Sequence, residues 1–349
     1  MSDRALLLTP SRGLGGGIER YVETVEAAFT QEGVDYGRID QEGPGVAAHR
    51  ELFRRAVAEV RSSGKRTRLV VAHPRLLPAA VLAARQADVD GISVLCHGAD
   101  VWVSRLQPHW RVEKALMRRA GVRVVAVSSF TAGVLFGDTP ATILPPAVSR
   151  EWFGTLVEAS AAPKPGTRGV ELVTVFRLAD WRDKGLPELL EAVAALPRRD
   201  VHVTVLGTGD APAELTRLIS RYERCALRSG AGDAELAARL AAADVLVLAT
   251  RTRTGRHASG EGFGLVLLEA QLAGTPVIAP AYGGSHDAFV DQVTGMAPAD
   301  ESAAALARVL NGMLSDPDRL AEMGRQASVW AQAAFAPDRY ASLVVARLL

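Results

Sequence analysis

Two carboxylates, Glu261 and Glu269, stand eight positions apart in the stretch EGFGLVLLEA, around a Gly-x-Gly. On one continuous helix that spacing would carry the second carboxylate about 80° past two full turns and lift it about 12 Å, a poor geometry for an acid–base pair. Gly262 and Gly264 argue against a continuous helix, because glycine punctuates the chain before a helix start and Leu265 to Leu268 supply an apolar first turn. Glu261 is therefore expected in a loop and Glu269 on the helix that follows. The helix start between them presents unpaired backbone N–H groups and the positive end of a dipole, which suit phosphate or developing negative charge. Glycoside hydrolases also use two carboxylates, but theirs lie about 5 to 10 Å apart and reach one anomeric carbon. A loop Glu and a Glu more than one helical turn away are better placed to hold two ends of a longer ligand such as a nucleotide-sugar. By themselves the two residues read more simply as solvated surface, so the rest of the chain has to decide.

Short apolar or β-branched runs alternate with longer helical patterns along the whole chain, which predicts parallel sheets covered by helices. Strands are expected at 6–9, 34–39, 69–73, 93–97, 122–127 and 142–144, and again at 171–176, 202–207, 226–229, 244–249 and 276–279. Between the two sets, EASAAPKPGTRG (158–169) lacks apolar periodicity and reads as a linker. The expected organisation is a first domain over 1–157, a second over 170–336, and a last apolar helix over 337–349 that packs back on the first. In open α/β sheets ligands sit beyond the carboxyl ends of strands. His97 closes one strand in CHGADVW, Arg177 closes another in TVFRLADWRDKG, and Gly207 to Gly209 follow a third in LGTGD. SRGLGGGIERYVETV places a glycine loop before a helix whose start can face an anion.

At 349 residues and 48% hydrophobic, with a formal net charge of +1, the chain can bury two cores. Its two cysteines, Cys96 and Cys225, exclude a disulfide framework and a Cys-rich metal site and fit a reducing cytoplasm, where the protein is expected. No apolar run is long enough to span a bilayer, and MSDRALLLTP is too short for a signal peptide's apolar region. Residues 1–150 hold 20 Lys and Arg against 15 Asp and Glu, a surplus of +5, and the remainder balances at −4. The surplus falls on 50–68 and 105–123. A solvated basic helix face explains these stretches better than peripheral membrane contact. Nucleic-acid binding is disfavoured, because aromatics make up only 5% of residues and no stacking platform is evident.

Several local matches carry less. Gly13, Gly15, Gly16 and Gly17 hint at a dinucleotide fingerprint, and Asp40 suits a ribose, but Ile18 occupies the third-glycine position. Gly64-Lys65-Arg66-Thr67 precedes a strand instead of following one, unlike a P-loop. Asp88-Val89-Asp90 falls in a polar turn, and no group of His, Asp and Glu has metal-ligand spacing. There is no nucleophile elbow.

The ordered set of GGIERYV, CHGADVW, a strand ending in Arg followed by DKG, LGTGD, and EGFGLVLLEAQLAGTPVIAPAYGG resembles glycosyltransferase family 4. That family contains retaining enzymes of the GT-B architecture. The resemblance spans nearly the whole chain and is strongest from Asp244 to Gly295; the insert over 251–260 resembles the phosphatidylinositol mannosyltransferase branch. It implies two Rossmann-like domains facing a central cleft, the C-terminal helix crossing back to the first domain, and domain closure on the donor. It implies further that Arg177 and Lys184 hold the donor diphosphate, doing electrostatically what a metal does elsewhere, so that no cofactor is expected. Glu269 would accept from the ribose hydroxyls and Glu261 from the transferred sugar. The N–H groups of Phe263, Gly264 and Leu265 would face sugar or phosphate, His97 would approach the reacting centre, and Gly16 and Gly17 would let the first loop come close to the diphosphate. Phe176 stands where the family usually has Gly, Asp287 where it has Glu, and the segment before Lys184 is long.

The function expected is transfer of a hexose-type sugar from a UDP- or GDP-type donor to an acceptor hydroxyl on a small metabolite, natural product or lipid. The competing readings are an NAD-dependent oxidoreductase, from the glycine loop and Asp40, and a non-catalytic sugar-nucleotide-binding subunit.

Overall fold

The structure is a computed structural model and describes residues 4–10, 17–98, 100–102, 108–162, 164, 169–253 and 258–349. It divides into two compact units, one built on Met1–Ser149 and Pro337–Leu349, the other on Arg150–Thr252 and Ser259–Ala336.

The first unit runs β1 (Arg4–Thr9), α1 (Gly17–Gln31), β2 (Tyr36–Asp40), α2 (Val46–Ser63), β3 (Thr67–Val71), α3 (Leu77–Ala84), β4 (Val89–Cys96), α4 (Pro108–Met117), β5 (Val122–Ala126), α5 (Ser129–Leu135) and β6 (Ala141–Ile143). The second runs α6 (Arg150–Ser160), β7 (Val170–Arg177), α7 (Leu186–Ala194), β8 (Val201–Thr208), α8 (Ala213–Ile219), β9 (Cys225–Ser229), α9 (Asp233–Ala242), β10 (Val245–Val247), α10 (Leu265–Leu272), β11 (Val277–Ile278), β12 (Gly295–Met296), α11 (Ala303–Leu314) and α12 (Pro317–Ala334). Helix α13 (Pro337–Leu348) returns to the first unit.

Both sheets are parallel, ordered β2-β1-β3-β4-β5-β6 and β12-β11-β10-β7-β8-β9. A parallel sheet is covered on both faces, so its inner strands read as unbroken apolar runs. Leu6, Leu7 and Leu8 of β1 and Leu69, Val70 and Val71 of β3 are all buried, with Leu6 opposite Leu69 and Gly37. Helix α1 buries Tyr21, Val22, Val25, Ala28 and Phe29 at helical spacing and turns its other side outward. Each strand order reverses once, between β1 and β3 in the first sheet and between β7 and β10 in the second. At such a switch point the neighbouring connections leave in opposite directions and open a crevice at the carboxyl ends.

Helix α13 packs on α1. Tyr340 donates to the Pro145 carbonyl at 2.8 Å, Tyr21 donates to the Leu144 carbonyl at 3.0 Å, and Ser93 donates to the Leu348 carbonyl at 2.7 Å. Burial raises the pKa of both phenols, so they remain neutral donors.

All eleven anticipated strands are present, with ends displaced by a few residues; β12, two residues long, carries no legible pattern. The division between units falls at Ser149/Arg150 instead of 157, and residues 158–160 of the anticipated linker close α6. The reason is packing: α6 buries Trp152 and Leu156 and lies against α9 and α10 of the second unit. Val89 and Asp90, expected in a turn, open β4, where Asp90 pairs with Arg66 at 2.5 Å.

Candidate functional site

In the second unit the site is assembled at the switch point. The chain leaves β7 at Arg177 and makes a short turn in which the Lys184 N–H donates to the Asp180 carbonyl at 2.9 Å. It then enters α7 through Gly185. That residue has φ +68°, and a Cβ there would lie 2.0 Å from the Ala249 carbonyl oxygen. Only glycine brings the chain this close to the end of β10 in a left-handed conformation. The result is a contact between Lys184 Nζ and Glu261 Oε2 at 2.9 Å, with the Thr250 hydroxyl donating to the same oxygen at 3.0 Å.

Glu261 lies in a loop and Glu269 on α10, as their spacing predicted. The Gly284 N–H donates to the Glu261 carbonyl at 2.8 Å and fixes the loop from the other side. Gly264 caps α10 in a left-handed conformation, φ +87°. Phe263 carries its ring into the core against Phe335, so the part of it that can meet a ligand is the backbone N–H. Leu265 opens the helix and is half-buried. Glu269 is 3% exposed and its Oε1 accepts from the Trp152 indole at 3.0 Å. Arg177 is 57% exposed and pairs with Asp180 at 3.1 Å.

A second tier ties these segments together. Arg251 pairs with Glu188 on α7 and its N–H donates to the Asp183 carbonyl at 2.8 Å. The Thr252 N–H donates to Glu301 at 2.6 Å. Thr250, Glu188, Glu301 and Trp152 were all missed by sequence reasoning. Thr250 was within reach of it, since it sits just past a predicted strand end. Trp152 lies 117 positions from its partner and offers no local signal.

In the first unit His97 follows β4. Its Nε2 faces the Ala72 carbonyl at 2.7 Å, which assigns the proton to Nε2. Its backbone N–H donates to both Asp100 carboxylate oxygens at 3.0 Å, and its ring meets Tyr21 edge-on at 5.7 Å and lies 6.4 Å from His73. Burial pushes His73 down to about 4, and burial pushes Glu113 on α4 up to about 7. Gly17 is the exposed first residue of α1; Gly13, Gly15 and Gly16 lie outside the described residues.

Asp40, the candidate ribose ligand of a dinucleotide site, is engaged within its own unit. Its Oδ1 accepts from Thr9 at 2.5 Å and from Arg38 at 2.8 Å. Of the basic stretches, Arg55, Lys65, Arg66, Lys114 and Arg118 each meet a carboxylate. Among the described residues no group of three or more His, Cys, Asp or Glu is arranged to hold a metal, and no helix is long and apolar enough to cross a membrane.

The sequence profile of the family described as "Glycosyl transferases group 1" matches residues 158–330. The GDP-mannose-dependent alpha-(1-6)-phosphatidylinositol monomannoside mannosyltransferase of Mycolicibacterium smegmatis is 32% identical over 264 residues, covering 71% of this chain and 67% of the relative. The D-inositol 3-phosphate glycosyltransferase of Arthrobacter sp. strain FB24 is 32% identical over 199 residues, covering 54% of this chain and 45% of the relative. Among solved structures, sucrose-phosphate synthase from Thermosynechococcus elongatus superposes with a TM-score of 0.76 at 19% identity, covering 98% of both chains. Anabaena Alr3699/HepE in complex with UDP-glucose superposes with a TM-score of 0.72 at 17% identity, covering 99% of this chain and all of the other.

Proposed function

The chain belongs to the glycosyl transferases group 1 family and is a glycosyltransferase, and from that premise we propose that it moves a hexose-type sugar from a nucleoside diphosphate to an acceptor hydroxyl, with retained configuration and no metal ion. The observation that carries this reading is the Lys184–Glu261–Thr250 cluster at the switch point of the second sheet. A cation for phosphate and a carboxylate for sugar hydroxyls stand side by side there, each positioned by a different strand end. Arg177 and Lys184 bind the diphosphate and stabilise its growing charge as the glycosidic bond breaks. Lys184 and Glu261, whose side chains are 25% and 15% exposed, neutralise one another, so neither stands as an unpaired charge. The N-terminal N–H groups of α10 add partial positive charge, and Glu269 takes the ribose. The bond from the anomeric carbon to phosphate oxygen breaks, the bond to the acceptor oxygen forms on the same face, and the acceptor's proton passes to the leaving phosphate.

Relatives named for GDP-mannose make a GDP-sugar the first donor to test and a UDP-sugar the second. In a thermal-shift panel of GDP-, UDP- and dTDP-sugars, one nucleotide class should raise the Tm; at 100 times its dissociation constant the stabilisation is about 2.7 kcal/mol. Slow donor hydrolysis should persist in EDTA and fall at least a hundredfold in Lys184→Ala and Glu261→Ala, on the order expected for electrostatic groups at a reacting centre. NMR of the product's anomeric proton reads retention directly. NAD binding without sugar-nucleotide binding would overturn the proposal. Donor binding with neither hydrolysis nor transfer would leave only a binding subunit.

A further inference from the structure

Trp152 lies in the first turn of α6, 117 positions before Glu269, and is 8% exposed against 3% for its partner. Helix α6 packs on α10, and the indole N–H meets Glu269 Oε1 at 3.0 Å. We infer that Trp152 is a positioning residue for the donor's ribose, holding the Glu269 carboxylate in the orientation that accepts the 2′- and 3′-hydroxyls. This rests on the nucleotide-sugar reading above.

The argument is one of directionality. Glu269 sits among buried neighbours, Leu267, Leu268, Ala270, Gln271 and Leu272, so its carboxylate needs hydrogen-bond donors to offset the loss of water. An indole N–H donates and never accepts. It can therefore hold only an acceptor, here a carboxylate oxygen, and it cannot reverse its role as a hydroxyl can. Each carboxylate oxygen has two acceptor positions, so one indole bond orients the group while leaving it able to accept again. A tryptophan serving only as core filler would not need its single polar atom aimed at the one buried carboxylate of α10. The bond also links the site to the first helix of the unit, far from any signature motif.

Trp152→Phe keeps the aromatic bulk and removes the donor. The measurement is calorimetric binding of GDP and UDP, each beside its 2′,3′-dideoxy counterpart, to the full chain, to Trp152→Phe, to Glu269→Gln and to the double variant. The expected result is a loss of about tenfold for the ribonucleotide in Trp152→Phe, no change for the dideoxynucleotide, and a double variant no weaker than Glu269→Gln. In turnover the donor KM should rise by the same factor with kcat within about twofold. Equal losses for both nucleotides, or no loss for either, would overturn the inference and leave Trp152 as packing. If Glu269→Gln itself fails to discriminate ribose from dideoxyribose, the ribose role of Glu269 falls first, and a chain that binds neither nucleotide overturns both. Should Trp152→Phe fail to fold, benzothienylalanine at position 152 replaces the N–H by sulfur at nearly constant shape and faces the same outcomes.

Discussion

Glu261 is held by a lysine, a threonine hydroxyl and a backbone N–H from three segments, and this convergence sets it apart from an untethered loop carboxylate and supports the role proposed for it. Two other titratable groups, both in the first unit, carry a separate and testable electrostatic signature. Glu113 is raised from 4.5 to about 7 by burial, so between those values the folded chain holds a proton that the unfolded chain has released. Its contribution to stability is therefore lost as pH rises through that window. His73 is lowered from 6.5 to about 4 by burial, so there the unfolded chain holds the extra proton and stability rises with pH from about 4 to 6.5. The two slopes oppose each other. Urea unfolding of Glu113→Gln should therefore show stability climbing more steeply between pH 4.5 and 6.5 than in the unmodified chain, and at pH 8 the variant should be the more stable by an amount on the order of 1 kcal/mol or more. Parallel pH profiles would contradict the burial argument.

The turn between β7 and α7 and the loop between β10 and α10 are the elements on which the site depends. Gly185 is where they meet, and a methyl group at that position is forbidden by both its φ and the Ala249 carbonyl. Gly185→Ala should destabilise the second unit by about 3 kcal/mol or more, read as a fall in Tm. Donor hydrolysis should fall with it, because Lys184 is carried out of reach of Glu261. Full activity in a folded Gly185→Ala would mean that the Lys184–Glu261 contact is dispensable. The existence and order of these elements were legible in the sequence, since buried parallel strands leave unbroken apolar runs such as Leu246–Leu248. Their ends were less so, because a strand ends where its ladder partner ends, and β10 pairs with β7 and β11 over only a few residues. The longer segment before Lys184 left its register open by sequence alone; the turn hydrogen bond from Lys184 to Asp180 accounts for it.

At the scale of the whole molecule the chain is two Rossmann-like units, and the first is discontinuous, since α13 joins it only after the second has been made. The Tyr340 bond to Pro145 and the Tyr21 bond to Leu144 fasten that return. Tyr340→Phe leaves a part-buried carbonyl without this donor and should cost about 1 kcal/mol, with faster amide exchange along α13 as the local readout. Unchanged exchange there would assign the anchoring to apolar packing alone. The sequence by itself determined the two wound sheets, the strand-end placement of His97, Arg177 and Lys184, and the loop-then-helix setting of Glu261 and Glu269, because periodicity, glycine punctuation and strand-end position are local properties of the chain. Only the tertiary structure decided that Lys184 meets Glu261, that Thr250 joins them, that Trp152 holds Glu269, and that α6 belongs to the second unit. Those contacts join residues up to 117 positions apart, and their geometry comes from strand register and helix packing, which no short stretch of sequence encodes.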